Sequence, residues 1–212
     1  MEELDLLKKA WQSDNQSFEQ VSEKEIYKMI HKNSSSSVKW ILIISVLEFL
    51  LWVTISIAFN TDEYIKSMHV ENFMIYLKIL NYINYAVILW FLYSFYTNYI
   101  KISTTTSTKK LMQDILRTRK TVQNYVWYNL GMMFVSMILG FIMAFYCSPK
   151  LELIKDKIAH DENYGTIIKI VCLLSFFTII FLVLFWLFYK LLYGFLLRRL
   201  NNNYKELKKI DL

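Results

Sequence analysis

The sequence predicts an all-α integral membrane protein, a bundle of four transmembrane helices with short amphipathic cytoplasmic helices. Three observations predict it. Of 212 residues, 55% are hydrophobic and 20% charged, more apolar than a soluble domain. Gly occurs 4 times and Pro once, too few for the turns an antiparallel β-fold needs. The large apolar residues gather in four blocks: Val38–Phe59, Met74–Ile100, Val126–Cys147 and Ile167–Leu197. Each reaches the roughly 20 residues that cross about 30 Å of hydrocarbon. Four buried helices of a soluble protein would carry polar stripes that blocks one, three and four lack.

Orientation follows from the cations. Residues 1–39, 101–125 and the tail from 198 together carry 17 Lys/Arg; the two other loops hold Lys66 and Lys150, Lys155 and Lys157, four in all. The positive-inside rule then places both termini and the middle loop in the cytoplasm. Five segments result: a cytoplasmic N-terminal segment (1–37), a first transmembrane hairpin (38–100), a basic cytoplasmic loop (101–125), a second hairpin (126–197) and a basic tail (198–212). The net charge of +6 reads as topology and contact with anionic inner-leaflet lipid. No segment is long enough to fold as a basic nucleic-acid-binding domain. The first apolar block starts too late, after too acidic a segment, for a cleaved signal peptide, so the first helix reads as an uncleaved anchor.

Within the N-terminal segment, Leu4, Leu7 and Trp11 share one helical face. Ser22 and Glu25 form a capping box ahead of a second short helix bearing Ile26, Tyr27, Met29 and Ile30. These helices lie on headgroups or dock a soluble partner through Leu4, Leu7, Trp11, Ile26, Tyr27 and Met29. The Ser34–Ser37 run reads as a flexible junction. In the middle loop, Ser103–Thr108 is a polar break. Lys109–Gln123 follows, with Met112, Ile115 and Leu116 on one side, and runs into the third helix with a bend. Ser148-Pro149 opens a short outer helix bearing Leu151, Ile154 and Ile158. The two halves repeat loosely, with Lys109-Lys110-Leu111 and Lys208-Lys209-Ile210 as the best-matching steps; a homodimer fits such a chain.

Glu48 is the candidate site residue. It lies ten residues into the first block, near mid-bilayer by that count, where an acid costs about 2.5–3.5 kcal/mol. Ser45, Trp52 and Ser56 share its face. Counting from the cytoplasmic ends puts Ser136 and Thr178 at similar depth, with Asn84 and Tyr85 in reach. This set is a proton- or cation-coupling site or a hydrogen-bonded helix contact. Tyr82, Tyr85, Leu89, Tyr93 and Tyr96 line one face of the second helix and read as packing or as a cavity wall. Ser136, Gly140 and Ala144 read as a close helix contact. Cys147 and Cys172 read as packing residues. With His31 inside and His69 and His160 outside, no metal cluster forms, and no P-loop, H-E-x-x-H, G-x-S-x-G or C-x-x-C occurs. No enzyme and no cofactor is expected.

The stretches Ser22–His31, Ser107–Thr121 and Asn203–Lys209 are similar to a family of bacterial four-span inner-membrane proteins of unknown function, and the resemblance covers the whole chain. Members have carried an automatic label of carotene-cleaving oxygenase. That activity belongs to a soluble β-propeller with four iron-binding histidines. The three histidines here, divided between the two sides, do not support it. The resemblance further implies genes beside sigma factors and hence an anti-sigma-like membrane regulator, although no anti-sigma motif matches residue by residue. The expectation is a non-enzymatic inner-membrane regulator or scaffold with a cytoplasmic partner. The alternative is a small proton-coupled permease using Glu48.

Overall fold

The computed structural model describes residues 22–58, 71–147 and 165–210. Apart from Ser22 and Thr105–Ser107, every described residue is α-helical. The four helices are α1 (Glu23–Ala58), α2 (Glu71–Thr104), α3 (Thr108–Cys147) and α4 (Gly165–Ile210). All four are long and apolar enough to cross a membrane, so the predicted four-helix membrane architecture holds. The helices pack as a ring, each against its sequence neighbours and α4 back onto α1, with a lighter α1–α3 contact across the diagonal.

At 36–46 residues, α1, α3 and α4 run about 54–69 Å at 1.5 Å per residue, well beyond a hydrocarbon core of about 30 Å. The surplus lies at one end, where the start of α1, the end of α2, the start of α3 and the end of α4 meet. Cross-helix bonds fix that meeting. Tyr27 Oη donates to the Thr105 carbonyl at 3.2 Å, Arg199 reaches Asn33 Oδ1 at 2.9 Å, and Arg119 reaches Asn201 Oδ1 at 2.8 Å. Most of the cations gather here too, so it is called the basic end.

The capping box forms as the sequence predicts: Glu25 accepts from the Ser22 amide at 3.0 Å and the Glu25 amide faces Ser22 Oγ at 3.4 Å. The short helix does not stop at the serines, however. α1 runs unbroken through Ser34–Ser37, and Ser34 and Ser37 are fully buried. The expected flexible junction is a packed stretch of helix. Small side chains let neighbouring helices approach, and a helix whose hydroxyls bond its own carbonyls, as Ser37 does to Asn33, need not break. The break at Ser103–Thr108 is shorter than expected, Thr105–Ser107 alone.

The interior positions follow steps of three and four: Ile88, Phe91, Phe95, Asn98 and Ile102 on α2, continued by Thr105 just past its end; Leu111, Ile115, Thr118, Val122, Tyr125 and Asn129 on α3; Tyr189, Tyr193, Leu196, Leu200, Asn203 and Leu207 on α4. That rhythm keeps one stripe facing inward along near-parallel helices, as in a coiled coil. It corrects the middle-loop reading: Leu111 and Ile115 face in, whereas Leu116 is 42% exposed. In the apolar half the outward faces carry Leu47, Trp90, Phe177, Leu191 and their like, all exposed and suited to lipid. Tyr82, Tyr93 and Tyr96 point out with them, so this tyrosine face is largely surface. Around Gly140 nothing lies within 4 Å of the position a Cβ would take, and Ser136 is exposed; the small-residue stripe is not a close contact between these helices. Cys172 is a free, exposed thiol rather than a packing residue. Leu4, Leu7 and Trp11, the outer short helix and the Cys147 side chain lie outside what the structure describes.

Candidate functional site

Glu48 sits on the inward side of α1 among three phenols. Tyr125 of α3 donates to Oε2 at 3.0 Å and Tyr193 of α4 to the same oxygen at 3.2 Å. Tyr189, one turn earlier on α4, donates to Oε1. A helix places residues four apart on one face, which is why Tyr189 and Tyr193 arrive together; their rings stack at 6.1 Å. The Tyr125 ring meets Tyr193 edge-on at 6.1 Å, and α2 backs it with Phe91 and Phe95, each at 5.4 Å. All three tyrosines are no more than 2% exposed. A carboxylate accepts through about four lone-pair positions, and three hydroxyl donors fill most of them. A protonated Glu48 would need one phenol to turn and accept.

The register moves Glu48 relative to the depth expected from counting. Its partner Tyr125 immediately precedes the apolar stretch of α3, and Tyr193 lies within about a turn of the last residues of the apolar stretch of α4. Glu48 therefore stands toward the basic end of the apolar region, not at its middle. Thr178 lies 11 to 15 residues from Tyr189 and Tyr193 along α4, about 16–22 Å away at 1.5 Å per residue. Thr178 bonds the Leu174 carbonyl of its own helix at 2.8 Å. Ser45 likewise turns to the Ile41 carbonyl at 2.8 Å. Neither reaches Glu48.

Two hollows lie near the cluster, and Glu48 lines the first. A groove of about 640 Å³ between α1 and α4 is lined by Leu47, Glu48, Leu51, Trp52, Phe185 and Phe188 among others. A second of about 450 Å³ lies between α1, α2 and α3, and there Asn84, Tyr85 and Ser136 do come together, with Asn129 and Ser56. Tyr128 donates to Asn84 Oδ1 at 3.0 Å. Trp52 borders both hollows. The predicted polar set thus divides: Glu48 belongs to the tyrosine cluster and the groove, and Asn84, Tyr85 and Ser136 to the second hollow.

Of the predicted partner-binding residues that are described, Ile26 and Tyr27 pack partly buried against the core of the bundle, while Met29 is 52% exposed. Tyr125, Tyr189 and Tyr193 were not read from the sequence as site residues. Tyr125 closes a segment assigned to the middle loop, and the other two sit in a helix rich in aromatics. The i, i+4 tyrosine pair opposite a membrane acid is the signal that was present. Among the described residues no three His, Cys, Asp or Glu side chains gather as a metal site.

The chain matches a family described as a domain of unknown function (DUF8845) over residues 24–212, and it belongs to that family. No curated protein and no solved structure matches it.

Proposed function

We propose that this member of the DUF8845 family is a non-enzymatic scaffold or regulator in a bacterial inner membrane, with both termini cytoplasmic, whose basic end docks a soluble protein. The carrying observation is where packing is densest. Ile102, Leu111, Ile115, Leu200 and Leu207 are sealed at the end where the helices outrun their apolar stretches. A bare anchor needs no core outside the hydrocarbon. Burial there locks four helix ends into one platform, since apolar burial in water is what drives such packing. Exposed Lys24, Lys28, Lys32, Lys109, Lys110, Lys208 and Lys209 surround it, a surface suited to an acidic partner and to anionic headgroups.

Removing residues 1–37 would take Ile30, Ser34 and Ser37 out of the core, so the informative variants are gentler. One deletes residues 1–21; the other replaces Lys109, Lys110, Lys208 and Lys209 by Gln. Cross-linking in cells and quantitative co-purification should recover an acidic soluble protein with the parent chain and lose it with one or both variants. Unchanged recovery of every soluble companion would overturn the reading.

A second reading, a small proton-coupled permease, draws on Glu48 in the groove wall. The three phenols that already hold the carboxylate favour a fixed group over one that exchanges protons freely. Unaltered transport by Glu48→Gln at normal expression would remove it.

A further inference from the structure

We propose that the groove between α1 and α4 binds a membrane-dissolved organic cation, an ammonium or phosphonium on an aromatic or aliphatic body, with the Glu48 carboxylate as its counter-charge. The inference does not rest on the docking role of the basic end. The groove, at about 640 Å³, falls within the range of about 300–1,000 Å³ that holds drug-sized ligands. Leu47, Leu51 and Leu184, which line it, are each more than half exposed on the apolar surface of the bundle. A ligand therefore enters sideways from hydrocarbon, and a strongly hydrated solute does not.

The lining selects the sign of charge. Among the described lining residues Glu48 is the one carboxyl, and no Lys or Arg joins it. Lys190, the nearest cation along α4, is turned over the Trp186 ring at 4.6 Å. The donors that reach Glu48 are neutral hydroxyls, which spread a negative charge without cancelling it. Apolar surroundings disfavour an isolated charge, so a cation arriving beside Glu48 stabilises its ionised form and gains more from it than it would in water. An anion is repelled, and a neutral sugar-like ligand finds too few polar groups to replace its water. The other walls fit the same class. Trp52 and Phe185 stack at 6.3 Å, with Phe188 beyond at 6.5 Å from Phe185, and aromatic faces attract cations within about 6 Å.

The test uses the full chain in nanodiscs of phosphatidylcholine and phosphatidylglycerol, with radiolabelled tetraphenylphosphonium as the probe. Saturable binding near one site per chain is expected. Glu48→Gln should weaken it about tenfold or more, as loss of a charged partner does. Leu51→Trp fills the groove and leaves the tyrosine bonds alone; it should abolish binding while the helix content and elution volume stay those of the parent. Four results would overturn the proposal. One is no saturable binding to the folded parent, and another is equal binding by parent and both variants. The third is equal affinity for the neutral analogue triphenylphosphine oxide, which would make the groove merely apolar. Adding phosphatidylethanolamine discriminates the source of the cation. Unchanged tetraphenylphosphonium affinity supports a free organic cation, whereas displacement assigns the groove to a lipid headgroup amine and refutes it.

Discussion

Replacing Glu48 by Leu tests whether the tyrosine cluster holds the bundle together. The substitution removes the acceptor of three phenol hydroxyls on residues that are almost wholly buried. A polar bond between membrane helices contributes roughly 0.6–2 kcal/mol, and bonds to a charged acceptor lie toward the strong side. Three together are therefore expected to contribute about 2–5 kcal/mol. Relief from burying an acid does not offset this much, because the unfolded chain in the same membrane or micelle also carries Glu48 in apolar surroundings. The measurement is reversible unfolding of the purified chain by increasing SDS in mixed micelles, followed by circular dichroism. Glu48→Leu alone should lose about 2–5 kcal/mol. Adding Tyr125→Phe, Tyr189→Phe and Tyr193→Phe to it should restore most of that, since the rings keep their packing and no hydroxyl is stranded. Glu48→Gln, which keeps an acceptor oxygen, should fall between. If Glu48→Leu unfolds with the parent, or if the three phenylalanines restore nothing, the cluster does not hold the helices as described.

Other outcomes follow from the basic end. Asn203 and Ser34 meet at 2.9 Å whichever way the amide is turned, so Asn203→Leu strands a buried hydroxyl and should cost about 1–3 kcal/mol in the same unfolding assay; an unchanged midpoint would count against that contact. Ile115 is fully buried and Leu116 is not. Ile115→Ala should therefore cost about 2–4 kcal/mol, while Leu116→Ala stays within about 0.5 kcal/mol; the reverse order would place the other face inward. If the basic end faces the cytoplasm, as proposed, Lys109→Cys in a chain otherwise free of cysteine should resist a membrane-impermeant maleimide in intact cells. It should react after permeabilisation, and labelling of intact cells would invert the topology.

The fold was legible because lipid imposes long apolar runs that composition and blocks reveal without any partner. Which face of each helix turns inward was not, for a physical reason. Inside a membrane bundle the buried stripe need not be the more apolar one. Ser45 and Asn98 are buried here while Leu47, Trp90 and Phe195 face out. Reading the serine run as a flexible joint followed soluble-protein habit; helical context made it a contact surface. Glu48 was found because a lone acid in an apolar helix must be satisfied. Its partners were missed because they lie 77, 141 and 145 residues away, and depth counted from block ends assumes that all blocks begin at one level. The apolar stretch of α3 begins just after Tyr125, so the count on that helix pointed to Ser136, about 16 Å too far at 1.5 Å per residue.

That offset gives the Glu48 cluster a particular mechanical position. On its basic side the four helices share a continuous core from Ile30 to Leu207; on the other, few of the described side chains are buried, Ile88, Asn129, Leu130 and Thr178 among them. The cluster stands where one regime gives way to the other, binding α1 to α3 and α4 through a single side chain. Its α2 neighbours Phe91 and Phe95 contribute ring packing alone. A cation bound beside Glu48, as proposed, would compete with the phenols for the carboxylate, with Tyr125 tying α1 to α3 and Tyr189 and Tyr193 together tying it to α4. On that reading occupancy of the groove and rigidity of the basic end would be linked through one carboxylate, and such a link requires reciprocity. A partner that binds only the rigid platform must weaken cation binding by the same factor by which the cation weakens the partner.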